Sequence, residues 1–198
     1  MPIDYSLKLL SPPAVEPISE AEVVAHLRLE TSGESALLDR LTAAARLQVE
    51  SWIGRALITQ SWRWSLDQWP CGRNAVLTIP RPPVQSVDQI LLFDALGQSA
   101  VWDAQNYDLD AGDDPARLFL RTGCPLPQPG RKVAGIAIDF TCGYGIAESD
   151  IPAPIRQAIL MLIAHYYENR ELAAPADGIM PLPLGPAALL APYKAVRL

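Results

Sequence analysis

The stretch from Ile151 to Glu171, IPAPIRQAILMLIAHYYENRE, constrains the fold most, because it writes a helix too broadly apolar for an ordinary wet surface. At roughly 100° per residue, Ile155, Ile159, Leu162 and Tyr166 form one stripe, and Leu160, Ile163 and Tyr167 widen it. Met161 and Ala164 lie near the back, which only Gln157 and Glu168 make clearly polar. Such a helix needs partners on more than one side. It is either the central helix of its domain or partly a contact with another protein. Pro152 and Pro154 are tolerable in its first turn, and Ser149-Asp150 stands where a cap belongs.

Two further helices precede it. Ser19-Glu20-Ala21-Glu22 is a capping box, with Ile18 and Val23 placed as its staple, and it opens a helix over about 19–28. Thr31-Ser32-Gly33 ends that helix. From 34 to 53, Leu38, Leu41, Ala45, Val49 and Trp52 recur at helical spacing, and Gly54 is placed as the left-handed cap. The period then changes to two. In TQSWRWSLDQW, Trp62, Trp64 and Leu66 alternate with Arg63, Ser65 and Asp67, as a half-buried strand requires. Residues 76–79, 87–93, 107–110, 117–121 and 133–141 read as further strands, with turns at Asp94–Gly97 and Gly112–Pro115.

Composition narrows the class. The chain has 198 residues, 49% of them hydrophobic, which suits one globular domain, or one domain with a tail. A formal net charge of -6 without clustered Lys and Arg argues against a broad nucleic-acid-binding face. Cys71, Cys124 and Cys142 are far apart, with no CxxC pair, and read as free thiols in a reducing compartment. The start, MPIDYSLKLLSPP, lacks the pattern of a secretory signal, and no run approaches a membrane span. A soluble protein made in the cytoplasm is expected. After Glu171 the sequence is rich in Pro and Gly, yet dotted with Met180, Leu182, Leu184, Leu189 and Leu190.

No catalytic fingerprint is present: no GxGxxG, phosphate-loop, HExxH or GxSxG pattern. His26 and His165 sit on helices without a visible catalytic partner. Asp108, Asp110, Asp113 and Asp114 lack the alternation and final Glu of an EF-hand, so a polar turn is the better reading. Trp62, Trp64 and Trp69 could form a carbohydrate or base-stacking platform, but their alternation fits a core face. No catalytic, cofactor-binding or metal-binding residue is assigned.

The helical pair, the β region opened by Ile79-Pro-Arg-Pro-Pro-Val-Gln-Ser-Val87, the Asn106-Tyr-Asp-Leu-Asp110 stretch, the Phe140-Thr-Cys-Gly-Tyr-Gly145 turn and the PxxIRQAILMLIAHYYENRE helix together resemble one family. It is the head-to-tail connector, or adaptor, of long-tailed bacteriophages and phage-derived gene transfer agents. The ending, Leu182-Pro-Leu-Gly-Pro-Ala-Ala-Leu-Leu-Ala-Pro-Tyr-Lys194, also looks like the terminal segment of that family's β-containing branch. The resemblance implies a structural, non-enzymatic protein, assembled as a usually twelvefold ring beneath the portal at the particle neck. It implies four partners or neighbours: the portal protein, adjacent copies of the same chain, a stopper or tail terminator, and DNA that passes through the channel without specific binding. It also implies assembly in the bacterial cytoplasm before incorporation at the neck.

The resulting expectation is an α+β chain. A small helical bundle (helices about 19–28, 34–53 and 152–170) carries an inserted antiparallel β region (about 59–141) and an extended C-terminal tail. By domain, residues 1–17 form an N-terminal arm, 18–171 the connector domain and 172–198 a portal-binding tail. Leu189, Leu190, Tyr193, Lys194 and Arg197 are the expected portal contacts; Met161, Ala164, Arg170 and Glu171 are expected between subunits. The rival functions are a stopper or tail-completion protein and a small-ligand-binding domain using the Trp-rich sheet.

Overall fold

The computed structural model describes residues 5–29, 34–69, 76–112, 114–121, 126–169 and 183–195. They divide into a helical unit, drawn from 14–58 and 144–195, and a β unit, drawn from 1–13 and 59–143.

In the helical unit, α1 (Glu20–Leu27) starts at the capping box. Glu22 donates its backbone N–H to Ser19 Oγ at 3.4 Å, and Glu22 Oε2 accepts from the Ser19 N–H at 3.2 Å. Helix α2 (Ser35–Ile53) ends at Gly54, whose φ of 72° lies where a side chain would be strained. Helix α3 (Ala153–Glu168) starts differently from the expected Ser-Asp cap: Pro152 holds the cap position without a side-chain bond. Asp150 instead closes a preceding 3-10 turn by accepting from the Ala147 N–H at 2.9 Å. It also lies against Gly145, where an added Cβ would fall 2.1 Å from Asp150 Oδ2. That contact is why the turn after Phe140 needs glycine there. A fourth helix, α4 (Leu184–Leu190), packs on α3. Ile18, Val23, Leu38, Val49 and Ile53 join Ile155, Ile159, Leu162 and Leu190 in one buried core.

The β unit contains β1 (Tyr5–Ser11), β2 (Gln60–Leu66), β3 (Val76–Thr78), β4 (Val84–Phe93), β5 (Ser99–Trp102), β6 (Tyr107–Asp110), β7 (Arg117–Leu120) and β8 (Ile136–Cys142). They form two antiparallel sheets, ordered β1-β2-β8-β4-β5 and β3-β7-β6. Register explains the alternation in the sequence. Trp62 opposes Phe140, Trp64 opposes Ile138 and Leu66 opposes Ile136, so one face of the larger sheet is apolar. On the other face Arg63 opposes Asp139, and Gln89 of β4 opposes Asp139 from the far side.

The expected small helical bundle with a β insertion is corrected by this architecture. The described residues form four helices and two antiparallel sheets, at 37% helix and 29% strand, so neither class is a mere insertion in the other. Two elements account for much of the difference. Tyr5–Ser11 pairs antiparallel with β2, and Leu184–Leu190, expected as extended tail, is helical with Pro186 and Leu190 buried. Both segments depend on partners distant in the chain. Strand pairing supplies the first structure and burial against α3 the second, because isolated helices this short are unstable in water.

Candidate assembly surface

The C-terminal end of α2 is held by a buried charged network. Glu50 is 3% exposed. Its Oε1 accepts from the Leu57 N–H at 3.0 Å and its Oε2 from Arg46 at 3.2 Å. Arg46 also binds both carboxylate oxygens of Glu16, at 2.8 and 3.2 Å. Burial alone would lower the Arg46 pKa; the bonds and charges of Glu16 and Glu50 outweigh it and raise the pKa, keeping the guanidinium charged. The network ties the segment before α1, the second half of α2 and the loop after α2 into one corner.

On that corner lies the segment that follows α4. Ala191–Tyr193 forms a 3-10 turn. The Ala195 N–H donates to the Ile53 carbonyl at 2.7 Å, satisfying one of the acceptors that a helix leaves open at its last turn. Arg55 Nε donates to the Tyr193 carbonyl. Lys194 Nζ lies 5.0 Å from the Trp52 ring centroid, within cation–π range.

The expected contact residues fall in several environments. Leu190 is 0% exposed in the core, Leu189 and Tyr193 are half-buried against it, and Lys194 is exposed. Met161 and Ala164 are half-buried. Helix α4 passes directly over Met161, since an added Cβ at Gly185 would fall 2.6 Å from Met161 Cε. The strap formed by 184–195 and the Met161 side of α3, assigned above to different partners, therefore meet within one chain. Arg170, Glu171 and Arg197 lie outside the described residues. The sequence reading missed Trp52 and Arg55 as functional candidates. Trp52 looked like one more apolar-face residue, and a lone arginine after a cap glycine carries no pattern.

The residues of the ligand-binding rival are engaged otherwise. Trp64 and Trp69 are buried, and Trp69 packs 5.3 Å from Trp102 while donating its indole N–H to the Pro127 carbonyl at 2.8 Å. Trp62 is half-buried beneath Arg81. Asp108 pairs with Arg121 at 2.5 Å and Asp110 with Arg117 at 3.3 Å, while Asp113 lies outside the described residues. Among the described residues, no group of three or more His, Cys, Asp or Glu could hold a metal ion. No described helix is long and apolar enough to cross a membrane.

Neither a family model nor a curated protein matches the chain. Solved structures do. A chain from the neck of an empty gene transfer agent (GTA) particle, computed with C6 symmetry, is 31% identical, with a TM-score of 0.77 over 98% of this chain and 97% of that one. A chain from the virion of a native GTA particle is also 31% identical, with a TM-score of 0.77 over 97% and 96%. A third, from the neck of a native GTA particle computed with C12 symmetry, is 28% identical, with a TM-score of 0.67 over 96% and 97%. A two-unit α+β fold shared over nearly the whole chain with particle-neck components defines a structural neck protein of phage-like particles. The chain belongs to the family of head-to-tail connectors, or adaptors, of long-tailed bacteriophages and phage-derived gene transfer agents.

Proposed function

We propose that this protein is the portal-proximal adaptor of its particle, a non-enzymatic subunit that forms a ring under the portal. The ring extends the DNA channel and presents a platform to the stopper or tail terminator. The likeness along 98% of the chain to a neck component of a particle computed with C6 symmetry carries this reading. Subunits in a closed ring meet through two different faces, so each copy needs two unlike contact surfaces. In this proposal the protein uses no cofactor. It is made in the bacterial cytoplasm and ends in the neck.

In this reading the portal contact comes from the segment of Leu189, Leu190, Tyr193, Lys194 and Arg197, with divided roles. Leu190 anchors the segment in its own core, and the exposed Lys194 and the later Arg197 meet the portal. Met161 acts through the strap that covers it, while Ala164, Arg170 and Glu171 serve the contact between neighbouring copies. Imaging of particles with a tagged subunit tests the assignment, and a density ring directly beneath the portal is expected. A ring one layer further from the head would make the protein a stopper. Reversing charge at Arg170 should reduce ring formation in assembled necks and leave the monomer's thermal midpoint unchanged; an unaltered ring population counts against that contact.

A further inference from the structure

Building on the reading that the segment around Lys194 meets the portal, we infer that Trp52 and Arg55 are positioning residues for that contact. They hold the segment in one direction before the partner arrives. Three consecutive residues each touch the end of α2 by a different interaction: the Tyr193 carbonyl with Arg55, the Lys194 ammonium with the Trp52 ring, and the Ala195 N–H with the Ile53 carbonyl. The first and third bonds bracket Lys194, fixing the peptide planes on both sides of it. The ring of Trp52 then sets where the aliphatic stem runs.

Arg55 is only 8% exposed. A guanidinium so far out of water must be satisfied by fixed acceptors, and its bond to a neutral carbonyl is charge-assisted and directional. Gly54 supplies the close approach: a Cβ there would lie 3.4 Å from Ala195 Cβ. The Glu16–Arg46–Glu50 network braces the corner on which the segment lies. A tail that ordered only on its partner would pay its ordering entropy at binding; this segment has paid it on folding.

The test joins purified subunit to portal-bearing, DNA-filled heads and reads the subunit concentration at half-maximal joining. R55A should raise it about tenfold, the equivalent of one lost directional bond, and W52A about threefold, the range of an exposed cation–π contact. Because Arg55 is buried, its variant is paired with G54C/A195C, whose Cβ separation lies close to the roughly 3.5–4.5 Å range of disulfides. The G54C/A195C protein kept reduced controls for strain at Gly54. Oxidised G54C/A195C should join as the wild type does, and in an R55A background oxidation should restore joining to within about twofold, because the lock replaces the bond that Arg55 supplied.

Loss of joining on oxidation, failure of the lock to rescue R55A, or wild-type joining by folded R55A would each overturn the positioning role. Deletion of residues 191–198 separates the two readings. If deletion abolishes joining while R55A has no effect, only the positioning role fails; if deletion has no effect, the portal reading falls and takes the positioning role with it.

Discussion

The helical unit and the β unit each bury an arginine–carboxylate centre. In the β unit, Asp139 is 4% exposed and accepts from Arg63 Nε and Nη2, both at 2.7 Å, and from Gln89 at 2.8 Å. All three residues arrive by register, since antiparallel pairing of β2, β8 and β4 makes them neighbours on one face. In the helical unit, Glu16, Arg46, Glu50 and Leu57 come from a linker, a helix and a loop, and no shared ladder aligns them. The sheet positions its charges through the backbone. The helical corner relies on its charges to position the backbone, and the strap at Trp52–Arg55 depends on that corner.

This contrast is open to attack at four points, from the largest expected effect to the smallest. Glu50→Ala strands the Leu57 N–H and part of the Arg46 guanidinium, and should cost about 4 kcal/mol in denaturant unfolding. Its effect should extend to faster hydrogen exchange at Ala195. A loss no greater than that of Asp139→Ala would erase the proposed distinction between the centres.

Leu190→Ala should cost about 3 kcal/mol, the expected penalty for a large-to-small change in a core. An unchanged unfolding midpoint would mean that the segment behaves as a free tail. Asp139→Ala should cost about 2 kcal/mol, below the range for fully buried pairs because Arg63 retains access to water.

The same carboxylate gives a pH test. Burial alone would raise the Asp139 pKa, but bonds from Arg63 and Gln89 and the Arg63 charge outweigh it and hold the carboxyl below the ordinary aspartate range. A carboxyl depressed in the folded state contributes its full stability above its unfolded pKa and loses it as pH falls through the folded value. Wild-type stability should therefore fall below roughly pH 4 more steeply than that of Asp139→Ala. Parallel acid limbs in the two unfolding series would show that Asp139 is not responsible. Last, Ser19→Ala removes one half of a capping box and should lower stability by about 1 kcal/mol, a change readable as a small shift in thermal midpoint.

Much of the fold was legible where local chemistry repeats itself. The capping box at Ser19 and Glu22 shows in four residues, the stripe of α3 in four turns, and the alternation of Trp62, Trp64 and Leu66 in one strand. Less legible were β1, β5 and α4, which are held by pairing or burial against other elements and not by a pattern in their own residues. The candidate surface was visible only in part. The order of weak motifs pointed to the family and to the strap, but Trp52 and Arg55 lie 138 or more residues before the groups they hold.

The amino-acid sequence by itself determined the helices with a complete apolar stripe, the alternating strands, the glycine cap at position 54 and the family, because each is written in neighbouring residues or in their order. Tertiary structure alone decided that the β region would be a unit in its own right and that α4 would fold back over Met161. It also decided that Leu190 would belong to the core and that the strap would close on the end of α2. Those outcomes depend on burial and on bonds between groups far apart in the chain, whose energies exist only once the partners have been brought together.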